Sequence, residues 1–327
     1  MRIGINGFGR IGRAVMRRAL HTDLDIVAVN DITNAATLAH LLQYDSTYGP
    51  LDVPVTASDG IMQINSATIA VSAHADPADI DWRAHGVELV IDSTGRFRTR
   101  EALAAHLKAG AGKVLLSAPG KDLDATIVPG VNDAAYDPDR HEIVSLASCT
   151  TNCVAPMVKV LHERFGLVRG FMTTIHAYTG DQVLLDAPHK DLRRARSAAV
   201  NIVPTTTGAA RMVGQVLPEL NGRLDGVAIR VPVEDGSITD LSAQLARPVT
   251  AQELNDAFAA AAEQELSGIL RYSTAPLVSR DIIGNAASCV FDSALTQASE
   301  DLVKVFGWYD NEWGYANRLV DMAQRMA

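Results

Sequence analysis

Cysteine is scarce: the 327-residue chain has three, Cys149, Cys153 and Cys289. So small and odd a number cannot build a disulfide framework. No C-x-x-C pair is present to hold a structural zinc, so no metal site is expected and the thiols are read as reduced. No apolar run approaches the roughly 20 residues that span a bilayer. The opening Arg2-Ile3-Gly4-Ile5-Asn6 reads as a strand and not as a secretory signal, so a cytoplasmic location is the expectation. Basic charge is also short, 29 Lys and Arg against 38 Asp and Glu for a formal net charge of -9. That balance gives nucleic acid no electrostatic encouragement. Internal repeats, low-complexity segments and flexible linkers are missing too.

What is present is a soluble globular composition, 47% hydrophobic and 20% charged, at a length usual for two domains. Residues 1–147 alternate short β-branched runs with helical stretches. Strands are expected at Arg2–Asn6, Asp25–Asn30, Thr68–Ser72, Glu88–Asp92, Lys113–Ser117 and Glu142–Leu146. Helices are expected at Arg10–Leu20 and Arg100–Ala109, with Asp76-Pro77 as the cap and first residue of another. Such alternation predicts a Rossmann-like α/β domain, a doubly wound parallel sheet. From 148 to 311 the texture changes. A helix at Thr150–Arg164 is followed by strands at Phe171–Ala177, Gly226–Val231, Ile238–Leu245 and Leu302–Trp308, with a capping box at Thr250–Glu253. This pattern predicts an α+β domain with a mainly antiparallel sheet. A final helix, 312–327, is expected to pack back on the first domain.

Gly7-Phe8-Gly9-Arg10-Ile11-Gly12 is a G-x-G-x-x-G run between the first strand and a helix. Gly7 permits the tight turn, Gly9 lets the backbone approach a pyrophosphate, and Gly12 allows close helix–strand packing. The helix N-terminus then offers free N–H groups to the phosphates. Asp31, ending the second strand 24 positions after Gly7, suits the adenosine ribose hydroxyls and would repel a 2′-phosphate, which favours NAD over NADP.

Ser148-Cys149-Thr150-Thr151-Asn152-Cys153 marks a strand end and a helix start. A cysteine there is expected to have its thiolate stabilised by the helix dipole and so a lowered pKa. Free cysteines are also common as small core residues, and composition alone favours that reading. The segment Ala147–Cys153, however, resembles the active-site motif of phosphorylating glyceraldehyde-3-phosphate dehydrogenases. So do Thr173–Thr179, Asp191–Arg196, Pro204–Ala210 and Trp308–Tyr315, in order along the chain together with Asn6–Gly12.

The resemblance implies Cys149 as nucleophile and His176 as its base, passing through a hemithioacetal and a thioester to an acyl phosphate. It implies Thr179 and Arg194 for the substrate's phosphate, with Ser148, Thr150, Thr207, Gly208 and Arg230 completing the binding of substrate and attacking phosphate. Arginine forks and threonine hydroxyls suit that task. For NAD it adds Arg10, Ile11, Ser117 and Asn311, and Thr94 as a further candidate. The implied substrates are glyceraldehyde 3-phosphate and inorganic phosphate, the pathway glycolysis or gluconeogenesis, and the assembly a homotetramer. Leu146, Ala75, Ala187 and the run Val233-Glu234-Asp235-Gly236 depart from the usual pattern and bear on cofactor selectivity and loop shape. Two alternatives stay open: an erythrose-4-phosphate dehydrogenase, and an NAD-binding regulatory module without turnover.

Overall fold

Runs such as Leu89-Val90-Ile91, Val114-Leu115-Leu116 and Ile143-Val144 are buried at every position, as strands covered on both faces must be. They belong to the first of two units in a computed structural model that describes residues 1–327. That unit comprises Met1–Ile127, Ala134–Ala147 and Ala316–Ala327; the second comprises Val128–Asp133 and Ser148–Tyr315.

The first unit contains β1 (Arg2–Asn6), α1 (Arg10–Ala19), β2 (Asp25–Asn30), α2 (Ala35–Gln43), β3 (Val55–Ser58), β4 (Ile61–Ile64), β5 (Ala67–Ser72), β6 (Leu89–Asp92), α3 (Arg100–Lys108), β7 (Lys113–Leu116), β8 (Ala125–Thr126) and β9 (Ile143–Ser145). Its nine-stranded sheet has the order β3-β4-β5-β2-β1-β6-β7-β9-β8. From β5 to β8 every pair is parallel, while β3, β4 and β5 join as an antiparallel meander. The strand order reverses between β1 and β6, and ligands of open α/β sheets bind beyond the carboxyl ends of strands at such a point. The helix expected after Asp76 is a single 3-10 turn, Pro77–Asp79. The chain must extend there to carry Ile80 and Trp82 into a core cluster with Val27, Val87 and Val90. Gly4 is the price of that core: a Cβ on it would lie 2.5 Å from the Trp82 ring.

The second unit contains α4 (Cys149–Phe165), β10 (Leu167–Ala177), β11 (Val203–Thr206), α5 (Ala209–Val216), β12 (Leu224–Val231), β13 (Ser237–Leu245), α6 (Ala251–Glu263), β14 (Leu270–Ser273), α7 (Ser279–Ile282), β15 (Cys289–Asp292), β16 (Gln297–Ser299) and β17 (Leu302–Tyr309). The sheet order is β11-β12-β10-β13-β17-β15-β14, with β16 beside β17. The sheet is mixed: β10 with β12 and β14 with β15 are parallel, and the other pairs are antiparallel. The long connection from β10 to β12 carries β11 and α5, room enough for a parallel crossover. The Thr250 capping box at α6 is formed in full.

A last helix, α8 (Trp313–Met326), contributes Ala316 onward to the first unit. There Asn317 accepts from Arg18 Nε at 2.7 Å. No helix is long and apolar enough to cross a membrane.

Candidate active site

In the first unit the β1–α1 turn is shaped by backbone contacts. Gly7 has φ +88°, and a Cβ on it would stand 2.6 Å from Thr94 N; one on Gly12 would stand 2.2 Å from Gly7 O. At Gly9 a Cβ would meet nothing within 4 Å, so the missing side chain leaves open space beside the N-terminus of α1. Gly7 N donates to Asn30 O at 2.8 Å. Asp31 accepts from Phe8 N and Ile32 N, both at 2.7 Å, which pins its carboxylate at the turn while leaving lone pairs for further donors. A cavity of about 180 Å³ is lined by Gly7, Gly9, Asp31, His74, Thr94 and Arg96 among others. The Arg10 guanidinium is bound to Asp45 and lies 5.6 Å over the Tyr48 ring. Arg10 and Ile11 therefore offer the turn their backbone. Ser117 N donates to Asp92 O at 2.9 Å.

In the second unit Ser148 caps α4, its hydroxyl accepting from Thr151 N at 3.0 Å, and Cys149 is the first helical residue. Ala147 just before it has φ +54°, a left-handed conformation costly for any residue with a Cβ. Cys149 Sγ lies 3.6 Å from His176 Nε2. His176 sits on β10 in register with Arg230 on β12. Its Nδ1 is 2.8 Å from Ala177 O and 2.9 Å from Arg230 Nη1, which itself donates to Ala177 O at 2.9 Å and to Thr179 Oγ1 at 3.3 Å. An Nδ1–H donating to Ala177 O leaves the Nε2 lone pair facing the sulfur.

Anion donors gather around this pair. Thr179 Oγ1 and Arg194 Nη1 both donate to Asp181. Arg194 Nε donates to Thr205 Oγ1 at 2.9 Å, and Thr205 in turn donates to Asp191 at 2.7 Å. Thr207 and Gly208 lead into the N-terminus of α5, and Thr151 of α4 donates to Ala209 O at 3.4 Å. Two helix N-termini thus converge, and each favours negative charge. Thr150 Oγ1 and Thr174 Oγ1 are each 2.8 Å from the buried Tyr309 hydroxyl. Asn311 Oδ1 accepts from Ser237 Oγ at 2.7 Å, and Ser237 accepts from Ala177 N at 3.1 Å.

The electrostatics correct one expectation. Burial pushes the Cys149 thiol up to about 11, although Arg230 and Thr150 pull the other way. Burial, with Arg230 beside it, brings His176 down to about 3. The resting pair is a neutral thiol against a neutral imidazole, because desolvation outweighs the helix end. The Asp181 carboxyl, by contrast, stays below its usual range: burial opposes ionisation, but Thr179, Arg194 and Arg230 outweigh it.

Residues 1–100 match a family model described as the glyceraldehyde 3-phosphate dehydrogenase NAD binding domain, and residues 148–311 match the C-terminal domain of the same enzyme. The chain belongs to the glyceraldehyde 3-phosphate dehydrogenase family. The glyceraldehyde-3-phosphate dehydrogenase of Geobacillus stearothermophilus is 56% identical over 100% of this chain and 98% of its own. That of Streptomyces coelicolor is 56% identical over 98% and 97%, and glyceraldehyde-3-phosphate dehydrogenase 1 of Bacillus subtilis is 54% identical over 100% and 98%.

Within this family member, Cys149, His176, Thr179, Arg194 and Arg230 form one connected cluster, with Ser148, Thr150, Thr207 and Gly208 on the flanking helix starts. Gly7, Gly9, Arg10, Ile11, Gly12, Asp31, Thr94 and Ser117 surround the first unit's turn. Asn311 lies in the second unit, anchored through Ser237. Sequence reasoning missed Asp181, the carboxylate that holds the two expected phosphate ligands. It also missed Tyr309, whose hydroxyl joins α4 to β10. Tyr309 lies inside the Trp308–Tyr315 motif, but its partners are 159 and 135 residues away. Cys153, one helical turn on from Cys149, is buried, and its sulfur donates to Gly307 O at 3.4 Å. Gly307 is the one residue that fits there, since a Cβ would come within 2.6 Å of the Cys289 and Met157 sulfurs.

Proposed function

We propose that the protein oxidises D-glyceraldehyde 3-phosphate with NAD and inorganic phosphate to 1,3-bisphosphoglycerate, in glycolysis or gluconeogenesis. The observation that carries this reading is the Cys149–His176 contact of 3.6 Å among anion donors at two helix starts. The first unit's turn fits a dinucleotide: open space at Gly9 beside the N-terminus of α1, and the pinned Asp31 carboxylate for ribose hydroxyls. Ser117 and Thr94 complete that set, and Asn311 in the second unit is the further residue the family resemblance gives to the cofactor. Bound there, NAD supplies the hydride acceptor.

Cys149 Sγ attacks the aldehyde carbon, and the thiol proton passes by way of His176 Nε2 to the carbonyl oxygen, giving a hemithioacetal. His176 next takes the hydroxyl proton as the carbon is oxidised, leaving a thioester on Cys149. Burial keeps the resting imidazole neutral, so Nε2 carries no charge when the aldehyde arrives. Phosphate attacks the thioester carbon, the C–S bond breaks, and the sulfur recovers its proton from His176. Thr179 and Arg194 hold the substrate's phosphate, exchanging Asp181 for it. Ser148, Thr150, Thr207, Gly208 and Arg230 serve the substrate and the attacking phosphate.

Exposed apolar side chains support a homotetramer: Leu184, Leu185 and Leu192 in the loop after Tyr178, and Phe171 and Val227 on the second sheet. Three free cysteines suit a cytoplasmic enzyme. Initial rates with glyceraldehyde 3-phosphate and erythrose 4-phosphate, with and without phosphate and with NADP in place of NAD, test the reading. The triose phosphate with NAD and phosphate should be the fastest combination. Preference for the four-carbon aldehyde would move the assignment to an erythrose-4-phosphate dehydrogenase, and no turnover at all would leave only a binding module.

A further inference from the structure

Beneath the β1–α1 turn runs a polar chain whose fully buried members, Trp82, His106 and Asp92, the mechanism above does not use. Asp92, fully buried at the end of β6, accepts from Asn6 Nδ2 at 2.9 Å, Thr94 N at 3.1 Å and Thr94 Oγ1 at 2.7 Å. His106 Nε2, also fully buried, lies 3.1 Å from the same carboxylate. On the far side of that ring Trp82 Nε1 donates to His106 Nδ1 at 3.0 Å. An indole N–H can only donate, so Nδ1 is the acceptor and the ring proton sits on Nε2, pointing at Asp92. Asp92 thus accepts four hydrogen bonds.

The chain continues through Asn6, whose Oδ1 accepts from Asn30 Nδ2 at 2.8 Å. Asn30 Oδ1 then accepts from Ser72 Oγ at 2.8 Å and His74 N at 2.9 Å. These bonds fix the amide orientation of both asparagines. The Thr94 hydroxyl donates its proton to Asp92 and its oxygen accepts from Arg96 N at 3.1 Å, so that toward the cavity Thr94 can act only as an acceptor. Asn6, Asn30, His74 and Thr94 line the cavity, whereas Trp82, His106 and Asp92 have no exposed surface and cannot touch a ligand.

We infer that Trp82, His106 and Asp92 are positioning residues for the dinucleotide, setting through Asn6 and Thr94 the polar wall against which it binds. This rests on reading the cavity as the NAD site. A fully satisfied buried network holds one geometry, and removing one member orphans its neighbours.

Calorimetric titration of the full-length enzyme with NAD, alongside steady-state kinetics, tests the inference. His106→Leu and Asp92→Asn should each raise the NAD Kd and the KM for NAD roughly tenfold, because Asn6 and Thr94 lose the fixed orientation in which they meet the dinucleotide. Turnover at saturating NAD and the KM for the aldehyde should stay within about twofold, since the reacting groups lie elsewhere. His106→Gln, which keeps a donor toward Asp92, should restore most of the affinity. If either buried variant fails to fold, the pair Thr94→Val and Thr94→Ser reads the same contact from the cavity side, with the valine weak and the serine near wild type. Unchanged NAD affinity in the folded variants, or a glutamine no better than the leucine, would overturn the inference. Failure of the wild type itself to bind NAD would overturn the reading of the cavity, and this inference with it.

Discussion

At the residue scale the chemistry turns on a thiol and an imidazole that burial keeps uncharged. With the thiol raised to about 11, its thiolate fraction grows about tenfold per pH unit below that value. Carbamidomethylation of Cys149 in the resting enzyme should therefore climb steadily between pH 7 and 10; a plateau reached below pH 7 would mean a thiolate–imidazolium pair at rest. His176→Asn should lower kcat by about 10²–10⁴-fold, the range of general-base help, with the KM for the aldehyde little changed. The sequence made both residues legible as candidates, because a cysteine at a helix start and a histidine in a strand stood in a recognisable motif. It gave the wrong sign for the thiol. A helix N-terminus is visible in sequence, but the burial that outweighs it is not, since it is set by tertiary packing around Cys149. Asp181 was illegible for the same reason: its role depends on where Arg194 folds back.

At the scale of elements, the β1–α1 turn was legible almost residue for residue, since its constraint is local and steric. Its glycines differ in kind, and that difference is testable. Gly12→Ala puts a Cβ 2.2 Å from Gly7 O and should destabilise the protein by about 1–3 kcal/mol, seen as a lower Tm. Gly9→Ala meets no protein atom within 4 Å. It should leave the Tm unchanged while weakening NAD binding roughly tenfold, about 1.4 kcal/mol. Strands β1, β2, β5, β6, β7 and β9 match expectation to within a residue because their apolar runs are continuous. By contrast, β10 begins four residues before the expected Phe171, and β11, β14, β15 and β16 have no counterpart among the expected strands. The α2 helix and the β3–β4 hairpin were not found, their periodicity being too short to separate from loop. The parallel pairing of β10 with β12 was missed because register across a long connection leaves no trace in local pattern.

At the scale of the whole molecule, exposed side chains carry the proposed assembly. Phe171 is 73% and Leu192 82% exposed, a cost that a subunit contact would remove. Phe171→Glu together with Leu192→Glu should convert a tetramer, measured by light scattering, into smaller species with an unchanged fold by circular dichroism. A wild-type monomer would contradict the proposed assembly and leave the chemistry standing. The central claim is that oxidation ends in a thioester on Cys149 that only phosphate releases. Rapid mixing of the enzyme with NAD and glyceraldehyde 3-phosphate in phosphate-free buffer measures it directly. The account predicts a burst of one NADH per chain, an acyl adduct on the Cys149 peptide by mass spectrometry, and steady turnover once phosphate is added. Sustained turnover without phosphate, or a burst with no adduct on Cys149, would contradict it.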